Sequence, residues 1–153
     1  IIVGLGALYA VIMFLLAEQA SAVSGGLIPG ALGFEARRQE RDLGGHGRAA
    51  FEGTPERFVY NPLGTVHGGW AATILDSAMG CAVHTTLPAG KGYTTVDLSV
   101  TLVRPLTDRV RRVRCEGRVL HAGGTVITAE GRVTDDEGTL YAHGTTTCLV
   151  LGR

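Results

Sequence analysis

The chain has 153 residues, 45% of them hydrophobic and 18% charged, which supplies one folded core and excludes an intrinsically disordered chain. Fourteen Lys and Arg balance fourteen Asp and Glu, so the basic excess that a nucleic-acid partner calls for is missing. The 23 glycines follow no triplet period, which excludes collagen. Three widely spaced cysteines (Cys81, Cys115, Cys148) with no Cys-x-x-Cys pair argue against a disulfide framework or a zinc cluster and fit a reducing, cytoplasmic compartment.

Residues 1–24 stand apart from the rest. Ile1 to Ala17 carries no charge, but a membrane-spanning helix needs about 20 apolar residues. Three readings fit: a helix packed on the domain, a membrane or export segment with Ala20-Ser21-Ala22 as a cleavage site, or an artefact of the gene reading. Membrane contact is expected only if this run is a true anchor. Residues 25–153 are expected to form one domain.

Gly25 to Gly33 is rich in breakers and reads as a link. Phe34 to Asp42 and His46 to Gly53 flank Gly44-Gly45 and suit a hairpin. Thr54 to Val66 holds Pro55, Asn61-Pro62 and Gly64, and is a loop by turn chemistry. From His67 to His84 the pattern becomes helical, with Trp70, Ile74, Ala78 and Cys81 on one stripe and Ala71, Leu75 and Ala82 beside it. An apolar character on nearly every face predicts a buried helix, ended by Leu87-Pro88-Ala89-Gly90.

Four strand patterns follow. Val96, Leu98, Val100 and Leu102 alternate with polar residues, as do Val113 to Val119, Ile127 to Val133 and, more weakly, Leu140 to Val150. Period two with one apolar face predicts an antiparallel sheet covered on one side. The fold expected is α+β, a curled antiparallel sheet wrapped around one long central helix.

Asp76 is the residue out of place. A carboxylate inside an apolar helix is costly unless it is partnered or protonated. Gly69, Thr73, Asp76 and Gly80 share one helix face, small and polar, which lets another backbone approach or leaves room for a ligand. Asp76 is either a structural carboxylate satisfied by its neighbours or a pocket carboxylate tuned for base or nucleophile work. At the loop-to-helix junction, the Gly68 amide can act as an oxyanion-type donor, since helix N-terminal amides point outward and glycine adds no side chain. Asn61 and His67 either orient substrate or serve the turn and the helix cap.

The run NPLGTVHGGWAATILDSAMGCAVHTTLPAGKGYTTVDLSVTLVRP, with its Asn-x5-His-Gly-Gly-x6-Asp spacing, resembles the hotdog-fold acyl-CoA thioesterases of the phenylacetate-pathway (PaaI-like) type. The later GRVLHAGGTVITAEGRVTDDEGTLYAHGTTTCLV is similar to the remaining strands of that family. The resemblance implies the hotdog fold, hydrolysis of an acyl-CoA thioester to free acid and CoA, a homodimer that often becomes a homotetramer, and an active site at the dimer interface. It implies Asp76 as general base or nucleophile, the Gly68 amide polarising the thioester carbonyl, His67 and Asn61 positioning substrate or water, and Thr95 as a hydroxyl contributed by the partner subunit. Gly69, Thr73, Arg104, Gly123 and Gly124 are the substrate-binding residues expected on the same ground. No cofactor and no metal are expected: His67, Asp76 and His84 have spacings that match no common ligand set. The alternative function is a non-catalytic acyl-CoA-binding module on the same fold, which would have no need of Asp76. A hotdog dehydratase is a lesser rival.

Overall fold

The computed structural model describes residues 34–37 and 46–152. The apolar run at 1–17, the link at 25–33, the turn expected at Gly44-Gly45 and the boundary at residue 24 lie outside the described residues. In chain order the elements are β1 (Phe34–Arg37), β2 (Arg48–Gly53), a 3-10 turn (Arg57–Val59), α1 (Gly68–His84), β3 (Gly92–Leu102), β4 (Val113–Ala122), β5 (Val126–Thr134) and β6 (Leu140–Leu151). The strands form one antiparallel sheet in the order β1-β2-β4-β5-β6-β3, with α1 packed along its inner face. No helix among the described residues is long and apolar enough to cross a membrane.

Alternation makes the sheet two-faced. Val113 and Cys115 on β4, Ile127, Ala129 and Val133 on β5, and Ala142 and Cys148 on β6 are buried against the helix. The intervening positions carry charge. Arg112–Asp136, Arg114–Glu116 and Arg118–Glu130 pair on the outer face, which accounts for much of the arginine cluster as a solvated, ion-paired surface.

α1 is apolar nearly all round and is buried nearly all round: Trp70, Ala71, Ile74, Leu75, Ala78, Met79, Ala82 and Val83 all belong to the core. It lies unusually deep in the sheet because two glycines admit it. Gly117 and Gly131 are register partners on β4 and β5. A Cβ at Gly117 would overlap the Ala78 carbonyl, and one at Gly131 would stand 2.9 Å from a Leu75 methyl. The helix stops at His84, before the expected Pro88 breaker. The Thr85 and Thr86 hydroxyls donate back to the Ala82 and Val83 carbonyls at 2.7 and 2.8 Å and satisfy groups the helix can no longer pair.

β3 departs from the alternation expected of it. A bulge between Thr95 and Asp97 shifts the register, so Val96 is 59% exposed and Thr95 turns toward the helix. Leu98 and Val100 face inward as expected, whereas Leu102, at the strand's end, is exposed.

Candidate active site

The helix entrance is built from the loop before it. Asn61 folds its own turn: its Oδ1 accepts from the Leu63 and Thr65 amides at 2.9 and 3.3 Å, and its Nδ2 donates to the Thr65 hydroxyl at 2.9 Å. One Nδ2 hydrogen is left over from that turn. His67 is the N-cap of α1, and its Nδ1 accepts from the Gly69 amide at 2.9 Å. A neutral imidazole that accepts at Nδ1 carries its proton on Nε2, so this ring offers a second donor outward.

The first-turn amides are thereby divided. Gly69 is committed to His67 Nδ1, and Trp70 donates to the His67 carbonyl at 2.9 Å. The Gly68 N–H bonds to nothing among the described residues. Thr73 donates to the Gly69 carbonyl at 2.8 Å, which ties it to the helix itself. Asn61, His67, Gly68, Leu102, Arg104 and Tyr141 come together around a cleft of about 220 Å³ at this end of the helix.

Asp76 does not line that cleft. It lies eight residues further along α1, about 12 Å at 1.5 Å per residue. Its side chain is fully buried; Oδ1 accepts from the Thr95 hydroxyl at 3.1 Å, and Oδ2 has no partner among the described residues. Burial holds its pKa above the usual carboxylate value, because desolvation disfavours the charge, and the Thr95 bond pulls the other way. The β3 bulge is what makes this pair. Strict alternation would send Thr95 out on the face opposite Val96.

The same pocket of residues holds two thiols and a phenol that sequence reasoning did not place there. Burial and the nearby Asp76 charge push the Cys81 thiol up to about 12, and burial raises Cys148, so neither thiol is poised as a nucleophile. Tyr93 fills the space above Gly80: a Cβ there would overlap its hydroxyl. The small-residue face is therefore occupied at Gly80 by a neighbouring strand. Tyr93 precedes Thr95 by two positions, and that spacing was the available signal. Gly123 and Gly124 sit at the β4–β5 turn and do not line the cleft.

The chain thus holds two separate groups, a free amide with its donors and a buried carboxylate with its hydroxyl. A family model described as the thioesterase superfamily matches residues 63–142, more than half of the chain and the segment holding His67, Gly68, Asp76 and Thr95. A Halobacterium salinarum protein that carries the name of a candidate esterase is 37% identical over 84 residues, 54% of each chain, so this chain spans about half the length of that curated relative. A Ralstonia eutropha protein related to phenylacetic acid degradation superposes with a TM-score of 0.71 at 26% identity, over 88% of this chain and 98% of that one. The Bacillus halodurans protein BH2602, solved with CoA, superposes with a TM-score of 0.67 at 34% identity, over 78% of this chain and 74% of that one. With the sheet curled around one long helix and the matched segment running through the helix entrance, the chain belongs to the thioesterase superfamily and has its hotdog fold.

Proposed function

We propose that this chain hydrolyses acyl-CoA thioesters, in sites that each draw on two copies of it. The observation that carries the reading is Asp76: a carboxylate with no exposure, one oxygen held by Thr95 and the other without a partner among the described residues. Holding such a group buried is costly, and costs of this kind cluster at working sites. BH2602, similar over most of this chain, was solved with CoA, which supports the CoA thioester as the substrate class.

Two copies are needed on geometric grounds. The carbonyl oxygen and the carbon under attack are one bond apart, so amide and base must both lie within about 3 Å of one small group. Within a single chain Gly68 and Asp76 are separated by about 12 Å of helix. β3 is one of the sheet's two edge strands, and Val96 is exposed on it. Such an edge is a ready template for another chain. Pairing there would bring the Asp76–Thr95 group of one copy toward the Gly68 entrance of the other. Thr95 then reaches the amide site from the partner, as the family resemblance implies, and it travels with Asp76.

In this reading the Gly68 N–H donates to the thioester oxygen and stabilises the charge that develops there. Asp76 either attacks the carbonyl carbon directly or takes a proton from a water that does. The C–S bond breaks and the CoA thiolate leaves and is protonated; the water route gives the acid at once, whereas direct attack leaves a mixed anhydride on Asp76 that a water molecule then cleaves to release the acid and restore the carboxylate. The Thr95 hydrogen bond favours the ionised carboxylate against the larger, opposite effect of burial. His67 Nε2–H and the remaining Asn61 Nδ2–H hold the acyl carbonyl or the water, and Arg104 sits at the cleft's polar rim for the CoA end.

The test is thiol release from a panel of acyl-CoAs. Wild type should turn over at least one, and Asp76→Asn should lose two to four powers of ten in kcat, as loss of a positioned base does. An Asp76→Asn variant with near-wild-type turnover would overturn the assignment. Wild type that binds acyl-CoA without cleaving any would favour the binding module.

A further inference from the structure

We propose that Leu102 sets the size of the acyl group this protein accepts. The inference rests on the reading of Gly68 as the seat of the acyl carbonyl. It comes from how the cleft's lining is divided. Its floor is apolar and fixed: Val66, Ala71, Leu106 and Ala142 are all core residues with at most 7% exposure. Its rim carries the polar groups, Asn61, His67, Arg104 and Tyr141, beside the exposed apolar Leu102, Val103 and Pro105. An acyl chain leaving the carbonyl toward the floor is desolvated at a gain, and a phosphate-bearing CoA is kept at the rim. The floor is therefore the acyl end.

Leu102 closes this space beside the carbonyl's seat. Its Cδ1 would lie 2.6 Å from a Cβ built at Gly68, so the methyl occupies the volume that the glycine leaves open. Leu102 is also 57% exposed, at the last position of β3, where its backbone pairs with Ala142. Unlike the floor, its side chain can change without opening the core. A cavity of about 150 Å³ accommodates a benzene-sized guest, so about 220 Å³ accommodates a ring or short chain with its tether, and one leucine's bulk decides whether a longer chain fits.

The experiment compares wild type with Leu102→Ala and Leu102→Phe in the full chain. Acetyl-, butyryl-, phenylacetyl- and octanoyl-CoA are assayed for hydrolysis, and S-butyl- and S-octyl-CoA thioethers, which cannot be cleaved, are measured by calorimetry. Leu102→Ala should raise the octanoyl-to-butyryl ratio of kcat/KM about tenfold, in line with the usual effect of methylenes in a pocket, and Leu102→Phe should lower it. The thioether Kd ratios should shift in the same directions. Thioether ratios that stay at the wild-type value in both variants, or thioethers that do not bind at all, overturn the proposal. If the thioether ratios shift while every thioester stays intact, the hydrolysis reading fails and the role of Leu102 stands.

Discussion

In its proposed role, Asp76 sets activity against stability. Its folded pKa is raised by burial, so the folded state is favoured most below the unfolded carboxyl's pKa. That advantage is lost as pH rises through the folded value, where a charge must be held in an apolar site. Asp76→Asn cannot ionise, so it should melt above wild type at neutral pH, with the gap closing in mild acid; differential scanning calorimetry at both pH values checks this. The acid limb of kcat/KM should fall above the ordinary carboxylate range for the same reason. Thr95→Val removes the bond that favours the ionised form, so that limb should move further up in pH, with a smaller rate loss than Asp76→Asn. At this scale the sequence was informative about Asp76, because a charge interrupts a long apolar periodicity. It was uninformative about what the carboxylate touches. Thr95 was reached only through family resemblance, and Tyr93 was missed, because both contacts join residues far apart in the chain. Asn61 and His67 build the turn and the cap, and each keeps one N–H that those bonds do not use.

The helix and the last three strands were legible because their periods are long and regular. β3 was not, since a bulge inserts one residue without altering the apparent alternation of Val96, Leu98, Val100 and Leu102. Reading straight through it placed Val96 inside and left Thr95 outside. Helix depth was equally hidden, because glycine in a strand suggests close approach without saying of what. That contact makes a direct prediction. Gly117→Ala must push against helix backbone, not a flexible side-chain end, and should cost about 1–3 kcal/mol in denaturant unfolding.

For the whole molecule, the two-copy site predicts complementation. Asp76→Asn lacks the base and Gly68→Pro lacks the amide hydrogen, while proline is tolerated in a helix's first turn and the exposed Leu102 end can swing aside. Each variant alone should be nearly inactive. After mixing and subunit exchange, half the dimers are hybrids with one intact site of two, so activity should recover to about a quarter of wild type. No recovery despite proven exchange would mean that base and amide act from the same chain. The glycine pair on β4 and β5 bears on this assembly too. Ala78, which it receives, and Asp76 are two positions apart on the helix, about 200° around its axis. A cylinder seated in a keyway can neither roll nor slide, so the groove on one flank indexes the acid on the other. In the proposed two-copy site, the chemistry is then aligned by a notch that lies outside the cleft's lining.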